Sequence, residues 1–475
     1  MKKLVLIAAI ALTSPLTIRR PSVVPPFTID ASENVADEFP GAPRLQSFSF
    51  AQWNGRWVFI GGRVGGYHAA GGRSAEFLRA DSNRAVWVID TTVMPARTYH
   101  VDLDQLPQRL LPVRAQWAST GQLYFQDGDQ LYICGGYGQD DTGKWATFDV
   151  VSRVRVPDLI EGVMRGRIPA ESIEYGRSPL VQSTGGALMK LADGPFYLVM
   201  GHVFNGSYTT FEGQGERNDN EASQVYLNEI RKLRIASGPE GVLKVDLVEA
   251  FRDESEFHRR DLNVASLLSP AGLGFGVYGG VFTPDTQLSY SKPVYVSSAS
   301  QPAIDGRFDQ KMNAYTCAIL LMYGDTARTM YTTFFGGIGR YTWDAGTREF
   351  VENRRTGSKS DAIYMDGLQW SDQISTIQNS EGESLETVQP HSLPGFIGSG
   401  SIFIPSSAVA RARPGTDILA LDALPMGGKV FVGYVYGGIR AYPYQFPYLK
   451  TSPPYNSGAV PSVTTDMILK VYVSR

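Results

Sequence analysis

Apolar and polar residues alternate in this chain over short runs, and the runs come in pairs. Ser47-Phe-Ser-Phe-Ala-Gln-Trp53 carries one apolar face at a period of two, the pattern of a half-buried strand. Asn54-Gly55 follows, then the apolar run Arg56-Trp-Val-Phe-Ile60. Asn-Gly between two such runs turns one strand back on the other, because both turn positions need positive φ. The device recurs. Leu123-Tyr-Phe-Gln126 turns at Asp127-Gly128 into Leu131-Tyr-Ile-Cys134, and Ala187-Leu-Met-Lys-Leu191 turns at Asp193-Gly194 into Phe196-Tyr-Leu-Val199. Cys317-Ala-Ile-Leu-Leu-Met-Tyr323 turns at Gly324-Asp325 into Met330-Tyr-Thr-Thr-Phe-Phe335. The second strand of each hairpin runs into Gly-Gly, at Gly61-Gly62, Gly135-Gly136, Gly279-Gly280, Gly336-Gly337 and Gly437-Gly438, with Met200-Gly201 as a sixth, altered copy.

A third strand is predicted after each pair, at Asn83–Asp90, Trp145–Val151, Glu229–Ile235, Lys292–Val296, Asp361–Met365 and Asp466–Val473. A fourth shows at Thr98–Asp102 and Leu243–Val248. Repeats of roughly 75 residues with four antiparallel strands each predict an all-β fold, a β-propeller of six blades, with room for a degenerate seventh before Gly438. That last interval is expected to hold insertions near Ser371–Thr387 and Ser406–Gly428. No helix of any length is expected. The last blade lacks a fourth strand, so Phe27–Ala31 is expected to supply it beside Met467–Val473 and to remove the open edges at the seam. First strands should line a central channel, since Ser119-Thr-Gly121, Ser183-Thr-Gly-Gly186 and Gly398-Ser-Gly400 let backbones crowd.

The amino terminus breaks the alternation. Met1-Lys-Lys3 precedes an apolar run to Leu12, then Thr13-Ser-Pro15. This is the shape of a secretory signal and is too short to span a bilayer. Residues 1–17 are read as the signal, 18–26 as a Pro-rich linker and 27–475 as the propeller, which places the protein outside the cell or in the periplasm. No later segment is apolar enough to span a membrane, and no cysteine follows the run to carry a lipid. Composition adds that 50 glycines and 11% aromatics suit many short strands. A net charge of −3 supplies no field for nucleic acid. The two cysteines, Cys134 and Cys317, fall on separate repeats, so buried free thiols are expected rather than a disulfide or a thiolate metal site.

The repeats resemble the kelch family of β-propellers. The likeness rests on Ile133-Cys-Gly-Gly-Tyr137 with Trp145, Ile60-Gly-Gly62 with Tyr67 and Trp87, and Thr333-Phe-Phe-Gly-Gly337 with Tyr341 and Trp343. An arginine before the first strand, as at Arg44, Arg114, Arg177 and Arg260, is also kelch-like. The departures are the long repeat and Met200-Gly201 in place of one pair. The resemblance implies a ligand site on the end of the ring where the Gly-Gly loops and the loops leading into each first strand meet.

That end carries the candidate ligand-binding residues: Arg63, Tyr67, His68, Arg114, Tyr137, Arg177, His202, Arg260, Arg340, Tyr341, Arg440 and Tyr442. Guanidinium forks suit carboxylate or sulfate, and aromatic faces suit sugar rings. The bland alternative is that each arginine is neutralised by a neighbour such as Asp140, Asp261 or Asp285 and braces a loop. No cofactor and no metal are expected: His68, His202 and His258 lack ligand spacing, and a copper site of the galactose-oxidase kind would need a cysteine outside the strands. The reading is a monomeric, non-catalytic propeller that binds a glycan, with the arginines suited to an anionic one, or an extracellular protein. The alternative is a carbohydrate-active enzyme of sialic-acid mutarotase or epimerase type at the same mouth. A deep pocket with a carboxylate facing an arginine cluster favours the enzyme, and a broad aromatic rim favours binding.

Overall fold

The computed structural model describes residues 24–67, 77–207, 223–238, 241–270, 272–353, 355–356, 365–380, 382–442 and 461–475. The signal-like segment lies outside them. The chain is all-β in character and folds into successive, mainly antiparallel sheets, most of whose strands pair in the order in which that sheet's strands occur along the chain. Sheet 1 consists of Ser49–Trp53, Arg56–Ile60, Ala85–Asp90 and Arg97–Asp102. Sheet 2 is Leu123–Asp127, Gln130–Cys134, Val150–Arg155 and Ile173–Arg177. Sheet 3 is Ala187–Lys190, Phe196–Val199, Glu229–Ser237 and Leu243–Arg252. Sheet 4 is Asn263–Ser269, Gly272–Tyr278, Val294–Ser297 and Ser300–Ile304. Sheet 5 is Ala318–Gly324, Thr329–Gly339, Gln369–Ser380 and Glu383–Val388, with Leu419–Ala420 added in parallel beside its first strand.

Sheet 6 joins the two ends of the chain. Ser401–Pro405, Lys429–Gly437 and Ile468–Ser474 are followed at the edge by Thr28–Asn34, in the register Thr28↔Ser474 and Ile29↔Val473. The pairing expected of the amino-terminal strand is therefore present.

The core lies between sheets. Sheets 1 and 2 share Val58, Val86, Leu131 and Val154, sheets 2 and 3 share Tyr132, Leu188 and Leu198, and sheets 3 and 4 share Tyr197, Val199 and Phe275. Sheets 4 and 5 share Tyr278 and Phe334, sheets 5 and 6 share Phe335, Val435 and Leu469, and sheets 6 and 1 share Tyr436, Ile468, Trp57 and Phe59. Each large side chain buried in such a layer is worth about 1.5–3 kcal/mol of burial.

The Gly-Gly pairs explain how the sheets come so close. Both residues of every pair have positive φ, including Met200 at 54°. Two successive left-handed residues turn the strand end sideways, a conformation that costs glycine nothing. The second residue then donates its N–H to a carbonyl leading into the next sheet. The bonds are Gly62 to Ser119, Gly136 to Ser183, Gly201 to Arg259, Gly280 to Ala314, Gly337 to Ile397 and Gly438 back to Leu45, all at 2.7–2.9 Å.

A second set of backbone bonds links the lead-in segments to one another. Gly121 N–H donates to Ser47, Gly185 to Gly121, Asp261 to Gly185, Thr316 to Asp261, Gly400 to Thr316 and Ser47 to Gly400, at 2.6–3.2 Å. The cycle closes on itself. Five of its six members have left-handed backbone: Ser47, Gly121, Gly185, Asp261 and Gly400.

Four expectations need correction. A helix does form: Val156–Met164 turns the apolar stripe Val156, Leu159, Ile160 and Val163 into the layer between sheets 1 and 2. The third strand of sheet 2 is Val150–Arg155, and Trp145–Thr147 belongs instead to a small sheet with Tyr137–Gln139, His202–Asn205 and Ser223–Tyr226. In sheet 5 the stretch expected as an insertion, Ser371–Thr387, is the third and fourth strands. Of the predicted strand Asp361–Met365, residues 361–364 lie outside the described residues, and Met365–Asp366 pairs only with Arg355–Thr356. Among the described residues, the interval before Gly438 is thus taken up by sheets 5 and 6 and not by a further repeat.

Candidate functional site

Five of the six members of the closed cycle of backbone bonds line a cavity of about 140 Å³, and segments flanking every sheet contribute to its wall. The lead-in segments supply Gln46 and Ser47, Thr120 and Gly121, Thr184, Arg260 and Asp261, Tyr315 and Thr316, and Ser399 and Gly400. The residues just past the glycine pairs supply Arg63, Tyr137, His202 and Ile439. These two kinds of position meet because they pair across short antiparallel bridges, Gln46↔Arg63, Thr120↔Tyr137 and Thr184↔His202. Tyr67, Phe77 and Phe204 complete the wall.

The wall combines polar and aromatic side chains. The Arg63 guanidinium lies over the Phe77 ring at 4.3 Å, and Arg260 lies over Phe282 at 5.1 Å. Stacking of this kind fixes the plane of a guanidinium while leaving its edge donors to point elsewhere. Tyr67 and Tyr315 bring their hydroxyls within 3.3 Å of each other. Tyr137 donates its hydroxyl to the Gly206 carbonyl at 2.7 Å and meets Phe77 and Phe204 edge-on, each at 5.4 Å.

Three titratable groups of the wall are displaced from their usual range, among them Tyr315, whose hydroxyl pKa burial raises. His202 is buried, and burial, with the nearby Arg260 charge, pushes its pKa well below the ordinary histidine value. It is therefore a neutral imidazole, and Gln224 lies 2.7 Å from its Nδ1. With the Gln224 amide as donor, the ring proton is assigned to Nε2. Asp261 is surrounded by protein, and this burial raises its carboxyl pKa against the lowering effect of Arg260. Its side chain nevertheless keeps 40% of its surface open, because it faces the cavity. Arg260 Nε stands 3.5 Å from its Oδ2.

The structure brings together five of the twelve residues picked from the sequence: Arg63, Tyr67, Tyr137, His202 and Arg260. His68 lies outside the described residues. The other six stand away from the cavity wall. Arg114 pairs with Asp141 at 2.8 Å and Arg340 with Glu352 at 2.6 Å. Arg440 pairs with Asp466 at 3.1 Å and lies over the Tyr442 ring, while Lys311 lies over Tyr341. Arg177 ends the outer strand of sheet 2, where it meets Asp149 at 2.7 Å, so it does not lead into a first strand at all. Sequence reasoning passed over Gln46, Thr120, Thr184, Tyr315 and Ser399 as site residues, and treated Asp261 only as a counter-ion. The signal for them was positional, since each precedes a first strand by a few residues.

Among the described residues no three His, Cys, Asp or Glu side chains are grouped to hold a metal ion, and no helix is long and apolar enough to cross a membrane. Cys134 and Cys317 are buried free thiols, both pushed up to about 12 by burial.

The chain matches no protein-family model and no curated protein sequence. Among solved structures, that of YjhT is similar to it with a TM-score of 0.48 and 11% identity, over 92% of this chain and 100% of YjhT.

Proposed function

We propose that the six sheets are the blades of a kelch-like propeller and that the cavity on its axis binds a small anionic ligand, a sugar acid or a sulfated sugar. The propeller reading is supported by the two cyclic sets of backbone bonds and by a separate apolar layer for each neighbouring pair of sheets, sheets 6 and 1 included. The ligand reading is carried by one observation: two guanidinium groups, Arg63 and Arg260, share a cavity with hydroxyl, amide and aromatic side chains from segments flanking five of the six sheets. Arginine forks bind carboxylate or sulfate through charge-assisted bonds, hydroxyls and amides match sugar hydroxyls, and ring faces match the apolar face of a sugar. A cavity of about 140 Å³ suits a single sugar unit better than a protein surface or a long polymer. Export of the protein, suggested by Met1–Leu12, belongs to the same proposal.

Titration calorimetry with glucuronate, N-acetylneuraminate and a sulfated monosaccharide tests it. Binding of one of them, lost in both Arg63→Ala and Arg260→Ala at an unchanged fold, is the expected outcome. Binding of none of these, or equal binding by both variants, would overturn it.

A second reading has its own observation. Asp261 is a carboxylate with a raised pKa beside Arg260 in that cavity, the arrangement that serves proton transfer to and from a sugar hydroxyl. On this reading the chain is a carbohydrate-active enzyme of mutarotase or epimerase type. Polarimetry of freshly dissolved sugar acids with wild type and Asp261→Asn separates the two: accelerated approach to anomeric equilibrium by wild type alone supports the enzyme.

A further inference from the structure

Two of the histidines have a side-chain amide at Nδ1, and the amides present opposite ends. His258 Nδ1 faces the Asn228 amide oxygen at 3.0 Å. The Asn228 amide nitrogen is committed to the Glu254 carboxylate, which fixes the oxygen as the end turned to His258. An amide oxygen only accepts, so the His258 proton sits on Nδ1. His202 Nδ1 instead faces the Gln224 amide nitrogen at 2.7 Å. An amide nitrogen only donates, so this Nδ1 is bare and the ring proton sits on Nε2. Of the two rings, His202 is the one that lines the cavity.

The strands account for the Gln224 contact. Ser223–Tyr226 pairs antiparallel with His202–Asn205, with Phe204 opposite Gln224 and Tyr226 opposite His202. Gln224 and His202 are therefore diagonal neighbours on one face of the small sheet, a separation that a long side chain spans. Tyr226 braces the imidazole from the same face with its ring centre 5.6 Å away, and itself stacks on His258 at 3.7 Å. Gln224 is exposed and is no part of the cavity wall. Nε2 is the nitrogen turned away from it. Nε2 has no hydrogen-bond partner among the described residues and is not sealed off by protein, so its N–H opens into the cavity. Burial holds the ring without a second proton.

We infer that Gln224 is a positioning residue for the site: from outside the cavity it fixes which nitrogen of His202 carries the proton, and so makes His202 a donor to the ligand rather than an acceptor. The inference rests on the ligand reading above and deepens it. It requires an acceptor on the ligand at that place, such as a carboxylate, sulfate or ring oxygen, and a sugar acid or a sulfated sugar has one. The other tautomer would present a lone pair there, and a ligand oxygen without a hydrogen to offer would be left unpaired against it. Gln224 thus acts on the ligand through the imidazole, since the hydrogen bond made by one ring nitrogen decides what the other can do.

Nitrogen NMR of protein carrying isotope-labelled histidine, at pH 8, reads the tautomer directly. The His202 signals are identified by their loss in His202→Phe. Wild type is expected to show a proton on Nε2 and a bare Nδ1 at His202, with the reverse at His258 as an internal reference. In Gln224→Glu, whose side chain has the same shape but only accepts, the His202 proton is expected on Nδ1. That variant is read by NMR alone, because its added charge would itself weaken an anion. Gln224→Met removes the donor without adding a charge. It is expected to weaken calorimetric binding of whichever of glucuronate, N-acetylneuraminate or the sulfated monosaccharide wild type binds by about threefold to tenfold, at an unchanged melting temperature. A wild-type His202 proton on Nδ1, an unchanged tautomer in Gln224→Glu, or equal binding by wild type and Gln224→Met would each overturn the inference while leaving ligand binding intact. Failure of wild type to bind any of the three would overturn the ligand reading, and the role assigned to Gln224 with it, whatever the NMR shows.

Discussion

Gly135 and Gly128 offer a matched pair for asking what the glycine pairs do. Their φ values are 63° and 61°, so alanine at either site meets the same left-handed strain. That strain alone costs about 1–2 kcal/mol. Beyond it the sites differ. A Cβ on Gly128 would meet nothing within 4 Å, whereas a Cβ on Gly135 would stand 2.0 Å from the Ser183 carbonyl oxygen. That oxygen belongs to backbone of the next sheet and accepts the Gly136 N–H at 2.9 Å, so relief requires sheets 2 and 3 to part and a bond between them to stretch. Overpacking of this sort adds about 1–3 kcal/mol. Gly135→Ala should therefore lose about 2–5 kcal/mol and Gly128→Ala about 1–2 kcal/mol. Urea denaturation followed by tryptophan fluorescence measures both. Equal losses in the two variants would refute the idea that close approach between sheets, rather than turn geometry, is what requires glycine at 135.

Three further predictions follow from other sites. Ile29→Ala, fully buried in the strand that completes sheet 6, should cost about 2–5 kcal/mol in the same assay, and a loss under 1 kcal/mol would argue against that strand sealing the sheet. Glu386 accepts backbone N–H groups from Lys311 and Met312, and burial pushes its pKa up to about 7. A raised carboxylate pKa stabilises the fold below the ordinary value of 4.5, and this contribution is lost as pH rises through 7, about 3 kcal/mol in all. Glu386→Gln should flatten the fall in stability between pH 5 and pH 8, and an unchanged slope would show that this carboxyl is not its source. Changing Arg114 and Arg177 together to Ala should leave binding of any anionic ligand unaltered and move stability by no more than about 1 kcal/mol, since both make exposed ion pairs; lost binding would return them to the site.

The hairpins and their glycine pairs were legible because each depends on two or three adjacent residues. Asn54-Gly55 and the six strand ends needed only local geometry. The helix Val156–Met164 was passed over because its stripe of Val156, Leu159, Ile160 and Val163 sits between two strands and carries Pro157, which reads as a break although proline is tolerated in a first helical turn. The third strand of sheet 5 was misplaced because Gln369–Ser380 is rich in Ser, Gln and Asn, and only its partner Thr329–Gly339 shows why those residues are buried. The site was half legible for a similar reason. Arg63, Tyr137 and His202 follow glycine pairs directly and could be counted. The arginines near other loops were judged by residue type, and type alone cannot separate Arg260, on the cavity wall, from Arg177, at the end of an outer strand.

The pairing of Thr28–Asn34 with Ile468–Ser474 has a consequence for biosynthesis. When the strand Thr28–Asn34 leaves the ribosome, its neighbour in the sheet does not yet exist, and the two cannot pair until Ile468–Ser474 has been made. Sheets 1 to 5 can assemble from neighbours already translated. The bonds from Gly438 to Leu45 and from Ser47 to Gly400 must wait. Phe27 and Ile29, buried at the end, are exposed throughout that wait, a time when a nascent chain is open to wrong partners and to chaperones. The charged contacts across the junction, Lys429 to Asp30 and Lys470 to Glu38, lie among the last to form. The timing of translation, rather than the strength of any one sheet, thus sets when the first of these strands finds its place.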